Sequence, residues 1–268
     1  SSERSGLKSK RMEINWGEAV NLEQLDKHLS KGEYDVFAMV HNETSTGARS
    51  DLGSISNLLK NKYPDIIWLV DAVSSMAGIK IEVDKLNIDF LFSSTQKAWG
   101  LPAGFSICSV SERLLNKSLT INNKGYFLDL HTYEKYYSKD QTPTTPSIPH
   151  MYGLKSMLKK IEFEGVENRW KRHIDMANYT REWTKVKGQK FFTNKNCLSY
   201  TLTCIENTQN WDINKINDAL LKRGYRMDRG YGKYRGKAFR IPHMGNIYME
   251  DLVDYLNNFD EVLCQLKY

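Results

Sequence analysis

The sequence predicts an α/β fold in which a large unit, built on a mainly parallel sheet, is followed by a smaller C-terminal α+β unit. Short apolar runs, Tyr34–His41, Ile66–Val70 and Ile88–Phe92, alternate with polar loops and helical stretches, the pattern of repeated βα units. The second and third of these runs are hydrophobic almost throughout, as strands covered on both faces by helices are. Past about residue 150 the style changes to one long helical stretch, an alternating strand and further helices. The division implied is 1–155 for the large unit and 156–268 for a linking helix and the small one.

Each element has a local reason. Asn21 offers an N-cap, with Gln24 in the capping-box position, for a helix that stops near Gly32. After the strand at 34–41 come a polar loop from Asn42 to Gly47 and a helix over Leu52–Tyr63, ended by Pro64. The strand at 66–70 ends at Asp71, and the strand at 88–92 ends in Ser93-Ser-Thr-Gln-Lys97. Gly104–Val110 forms a fourth strand, with a helix starting near Ser111. From Asn122 to Pro149 periodicity vanishes and Thr-Pro pairs accumulate, which predicts a long functional loop. Helix then runs from about Tyr152 to Lys187, broken near Gly165. A strand over Leu198–Ile205, a helix over Asp212–Arg223, a Gly- and Tyr-rich segment from Gly224 to Gly245 and a terminal helix from about Met249 complete the chain.

Composition removes several classes of function. The chain has 268 residues, with 40% hydrophobic and 26% charged, which is the make-up of a soluble globular protein and excludes collagen, coiled coil and disorder. No apolar run approaches the roughly 20 residues of a membrane-spanning helix. The net charge of +6 is spread along the chain, so it suits a small anionic ligand as well as nucleic acid. Cys108, Cys197, Cys204 and Cys264 lie far apart without metal-ligand or disulfide spacing; they read as small core residues in a reducing compartment, and a cytoplasmic location is expected. The first residues show no Met, no basic n-region and no apolar h-region, which leaves targeting information upstream of Ser1 open, and the ending Gln-Leu-Lys-Tyr is no known address.

In an open α/β sheet the ligand sits beyond the carboxyl ends of the strands. Three such ends are polar: His41-Asn-Glu-Thr-Ser-Thr-Gly47, Asp71-Ala-Val-Ser-Ser75 and Ser93-Ser-Thr-Gln-Lys97. Asp71 and Lys97 on neighbouring ends are compatible with an ion pair at the sheet edge. That is the commoner reading for an arbitrary α/β protein; the alternative is a pyridoxal phosphate site, in which a lysine condenses with the cofactor aldehyde and an acid keeps the ring nitrogen protonated. An arginine at position 97 could neither condense nor shuttle a proton.

Five strings in register decide between these readings. His41-Asn-Glu-Thr-Ser-Thr-Gly47, Val70-Asp-Ala-Val-Ser-Ser75, Ser94-Thr-Gln-Lys-Ala98, Pro102-Ala-Gly104 and Phe239-Arg-Ile-Pro-His-Met-Gly245 follow the order of class V, fold type I pyridoxal phosphate aminotransferases. The chain resembles most the alanine–glyoxylate and serine–pyruvate members, over nearly its whole length. The resemblance implies Lys97 as the Schiff-base lysine and Asp71 as the pyridine-nitrogen partner. Val73 would lie beside the ring, Thr44 near the 3′ oxygen, and Gln96 at the phosphate. Thr142 and Thr145, in Thr142-Pro-Thr-Thr-Pro146, match a loop that contacts the phosphate of the neighbouring subunit, which implies a homodimer with shared active sites; ordinary turn chemistry would explain them equally. Arg240 matches the arginine that grips the substrate α-carboxylate, although Pro242 stands where the family usually has a small residue, typically glycine. Ser1 to Lys8 resembles the middle of the family's large domain, so the Gly-rich phosphate cradle and the ring-stacking aromatic are expected outside this sequence; were this fragment the whole protein, its sheet would lack several strands and present an unpaired edge.

The function implied is transamination between a small amino acid, alanine or serine, and a 2-oxo acid, glyoxylate or pyruvate. Cysteine desulfurases share the fold and the lysine, but there a histidine precedes the lysine, where this chain has Gln96, and a reactive cysteine sits on a mobile loop; Cys108, Cys197 and Cys204 fall in expected strands. A scaffold that has lost its chemistry would not be expected to keep Asp71, Gln96, Lys97 and Arg240. The Lys/Arg/Tyr-rich stretch Arg223–Arg240 would suit nucleic acid, but the resemblance makes it a substrate-binding strand pair, and neither nucleic acid nor a membrane is expected as a partner. His41 and His243 read as structural hydrogen-bonding residues, since Lys97 already accounts for proton transfer.

Overall fold

The computed structural model describes residues 6–122 and 124–268. Its first half is a four-stranded sheet in the order β1 (Val36–Val40), β4 (Ile67–Asp71), β5 (Phe90–Ser94), β6 (Ser106–Val110). β1 and β4 pair in parallel with Val36 opposite Ile67, and β4 and β5 in parallel with Asp71 opposite Phe92. β6 returns antiparallel to β5. The stretch between Ser94 and Ser106 is too short and turn-rich to hold the crossover helix that a parallel neighbour needs. At the other edge β1 leaves Val36 and Val40 exposed.

α1 (Leu22–Leu29) and α2 (Leu52–Lys62) cover one face of this sheet. Asn21 Oδ1 accepts the Gln24 backbone N–H at 3.0 Å and starts α1, and Asp51 caps α2 through Gly53 N–H at 3.0 Å. Leu25, Ile55, Leu59, Trp68, Val70 and Leu91 form the core beneath them, each large side chain contributing about 1.5–3 kcal/mol by burial. Asp89, 2% exposed, ties the sheet to α4 (Glu112–Leu119): it accepts from Trp68 N–H at 2.8 Å, Ser111 Oγ at 2.7 Å and Arg113 Nε at 3.0 Å.

The second half begins with α6 (Ile148–Glu164) and α7 (Val166–Val186), separated at Gly165, whose φ of +81° breaks the helix. β7 (Lys190–Phe191), β8 (Leu202–Glu206) and β9 (Ala238–Pro242) form an antiparallel sheet backed by α7, α8 (Ile213–Lys222) and α9 (Met249–Gln265). Met176, Ile205, Ile216, Phe239, Phe259 and Val262 fill its core. No helix among the described residues is long and apolar enough to cross a membrane.

Four expectations need correction. The region 122–149 contains a helix, α5 (Leu130–Tyr137), capped by Asp129; it buries no residue completely, so it has no apolar stripe to betray it. The loop at 42–47 is closed by a small hairpin, β2 (Asn42–Glu43) with β3 (Ala48–Arg49). The strand expected over 198–205 starts only at Leu202, and Cys197 belongs to a 3₁₀ turn, Lys195–Cys197, started by Asn194. Cys197 and Cys204 are buried, but Cys108 and Cys264 are exposed: β6 is an edge strand, and Cys264 lies in the last turns of α9.

Candidate active site

β1, β4 and β5 run in parallel, so His41, Asp71 and the segment leading to Lys97 emerge at one end of the sheet. Asp71 is half-buried, and the Val73 N–H donates to its Oδ1 at 2.9 Å. Burial pushes its carboxyl pKa up, Glu43 adds to the rise, and the Val73 bond opposes it. Lys97, also half-buried, has its amine pushed below the ordinary lysine range by burial and by the Arg240 guanidinium, with Asp228 and Glu43 pulling the other way. Glu43 therefore lies within electrostatic reach of both the acid and the amine.

Arg240, on β9, donates from Nε and Nη2 to the two carboxylate oxygens of Asp228, at 2.8 and 2.6 Å, and from Nη1 to the Thr44 carbonyl at 2.9 Å. Thr44 shares a hydroxyl hydrogen bond with Ser74, whose own carbonyl accepts from Thr201 Oγ1 at 2.6 Å. The Asp71, Thr44, Lys97 and Arg240 segments thus meet where the two sheets approach each other. Val73 is beside Asp71, and Gln96 is exposed, accepting from Ser94 Oγ.

Thr142 and Thr145 are not part of this cluster. Both are exposed, and Thr142 Oγ1 donates to the Thr144 carbonyl at 2.8 Å, which is turn chemistry. The loop is anchored just beyond, where His150 Nε2 meets the Ala103 carbonyl at 3.1 Å in the turn that follows Lys97. His41 and His243 are buried, with Nδ1 of the first bonded to Ser75 Oγ at 2.8 Å and Nε2 of the second to Thr203 Oγ1 at 3.0 Å.

Sequence reasoning missed the clamp that holds the loops around Lys97. On α7, Arg169 is 1% exposed and donates to the Ala77 carbonyl at 2.9 Å and the Ala98 carbonyl at 2.7 Å, with Glu164 at 3.0 Å as its acid. His173 Nδ1 donates to the Arg169 carbonyl at 2.7 Å, and its Nε2 accepts the Gly245 N–H at 3.1 Å. Arg172 reaches the Gly245 and Ile247 carbonyls. Their spacing on one helical face was the available signal. Asp228 was missed too; it lies among glycines and tyrosines, where an acid reads as a turn former.

The aminotransferase class-V family model matches residues 1–230. The chain belongs to the class-V aminotransferase family. Similar proteins include an uncharacterised aminotransferase of Methanocaldococcus jannaschii, 35% identical over 239 residues, which make up 88% of this chain and 62% of the relative. A serine–glyoxylate aminotransferase of Arabidopsis thaliana is 33% identical over 264 residues, 96% of this chain and 66% of the relative. The crystal structure of an alanine–glyoxylate aminotransferase from Nostoc sp. superposes with a TM-score of 0.90 at 29% identity, over 98% of this chain and 70% of the other. The chain spans about two thirds of the length of the relatives it matches. The fold is that of fold type I aminotransferases.

Proposed function

We propose that the protein catalyses pyridoxal 5′-phosphate-dependent transamination between a small amino acid, alanine or serine, and a 2-oxo acid, glyoxylate or pyruvate. The observation that carries this reading is the placement, at the same end of the parallel sheet, of half-buried Asp71 and half-buried Lys97, with burial raising the pKa of the acid and lowering that of the amine. When bound, the cofactor supplies an aldehyde for the amine and an electron-withdrawing ring. Asp71 fits it: one oxygen has the Val73 N–H, and burial without a cation is the strain that a protonated ring nitrogen relieves. Val73 would flank the ring, Thr44 would hold its 3′ oxygen, and Gln96 would reach the phosphate. Lys97 Nζ, whose pKa burial and the Arg240 guanidinium push below the ordinary lysine range, takes the proton from the substrate Cα and returns one on the other side of the exchange. Arg240 holds the substrate carboxylate. The serine–glyoxylate and alanine–glyoxylate specificities of its relatives support the substrate class.

In a homodimer, Thr142 and Thr145 would serve the partner's phosphate; their exposure, clear of the cluster, supports this. A cytoplasmic enzyme is consistent with the absence of disulfide spacing. The division at residue 155, supported by two separate core clusters, falls within α6. A desulfurase needs a reactive thiolate on a mobile loop, but Cys204 and Cys197 are buried, with burial pushing the Cys204 thiol up to about 12 and raising Cys197, and the exposed Cys108 and Cys264 sit on strand β6 and helix α9 rather than on a loop.

Incubating the purified protein with pyridoxal 5′-phosphate, alanine or serine, and glyoxylate should yield glycine and the matching oxo acid. Lys97→Ala should abolish this. Turnover that survives Lys97→Ala would overturn the reading.

A further inference from the structure

Arg240 is restrained more fully than a strand arginine requires. Asp228 takes its Nε–Nη2 edge through two bonds, Thr44 takes one N–H of Nη1, and the Tyr231 ring centroid lies 5.9 Å from the guanidinium carbon. A guanidinium has five N–H groups. Three are committed, which leaves one on each terminal nitrogen to donate to a ligand carboxylate.

The acid is itself built in. Gly230 N–H donates to Asp228 Oδ1 at 2.9 Å, and Asp228 bridges Arg240 in antiparallel register. That turn needs glycine: Gly230 has φ +83°, and a Cβ there would stand 2.3 Å from the Ala238 carbonyl oxygen. The pair borders open space, with side chains 17% and 33% exposed for Arg240 and Asp228, and Lys97 is within electrostatic reach of both.

We infer that Asp228 is a positioning residue for the substrate carboxylate: it occupies one edge of Arg240 so that only the terminal nitrogens remain for the ligand, in a single orientation relative to Lys97. This rests on the reading of Arg240 as the carboxylate grip. Because Asp228 also offsets the charge of Arg240, its contribution is direction rather than attraction. Releasing the guanidinium lets a carboxylate still bind, but with its Cα misplaced, and a shift of about 1 Å at the reacting atoms can cost about 100-fold in rate.

In the cofactor-loaded protein, Asp228→Asn should lower kcat by about 10- to 100-fold while KM for donor and acceptor moves less than about threefold. Calorimetric titration with pyruvate reads binding apart from turnover: affinity should stay within about threefold for Asp228→Asn and fall at least about tenfold for Arg240→Ala. If Arg240→Ala leaves pyruvate affinity and KM unchanged, the grip reading falls. If Arg240→Ala weakens binding but Asp228→Asn leaves kcat within about twofold, or changes KM alone, the positioning role falls by itself. Thermal unfolding checks that the variants are folded. Should Asp228→Asn fail to fold, Asp228→Glu, which keeps the charge but shifts the edge, is scored by the same kcat criterion.

Discussion

Lowering the pH from about 7.5 to about 5 bears on stability through three buried imidazoles, those of His41, His173 and His243. His41 is 2% exposed, and His173 and His243 are both 0% exposed. Burial is the main cause that pushes them down, to about 3 for His41, about 4 for His173 and about 3 for His243. Arg49 adds to the effect at His41, and His173 and Arg181 add to it at His243. Unfolded, the same rings titrate near 6.5. The native state therefore stays neutral while the unfolded chain takes up protons, so this stability is fully present above about pH 6.5 and is lost as the pH falls toward about 4 to 3. Each proton is worth about 1.36 kcal/mol per pH unit, so three sites remove about 4 kcal/mol per unit and about 6 kcal/mol between pH 7.5 and pH 5. That is comparable with a total stability of about 5–15 kcal/mol. Urea unfolding followed by tryptophan fluorescence across this interval measures the slope. His243→Gln, which keeps a hydrogen-bonding group for the Thr203 hydroxyl, should remove about a third of it. A stability that changes by less than about 1 kcal/mol over the interval would refute the reasoning.

Two further substitutions test the scaffold. Arg169→Met strands the Ala77 and Ala98 carbonyls and half of the Glu164 pairing, and should cost about 3–5 kcal/mol in urea unfolding; a loss under about 1 kcal/mol would mean the clamp is not holding these loops. Gly230→Ala forces a side chain into a positive φ and against the Ala238 carbonyl, so thermal unfolding should show a loss of at least about 1–3 kcal/mol, and an unchanged midpoint would contradict the turn geometry.

Much of the architecture was legible in single residues. The cap at Asn21 and the break at Gly165 each state a local backbone requirement that is met within a few positions. Asp71 and Lys97 were legible because strand ends converge in any parallel sheet. α5 was not, because Leu130–Tyr137 packs without burying a residue fully and so lacks the periodicity on which a helix is read. The reverse direction of β6 depended on a connection whose turns only the folded chain reveals. Arg240 was assigned by resemblance, but its dependence on Asp228 is a tertiary contact across 12 residues of glycine-rich turn that no local pattern announces.

The central claim is that the Lys97 amine bears the cofactor. Incubating the protein with pyridoxal 5′-phosphate, reducing with borohydride and mapping the digested peptides by mass spectrometry tests it directly. A single added mass on the peptide that contains Lys97 is expected; incorporation at a different lysine, or none at all, would contradict that role for Lys97.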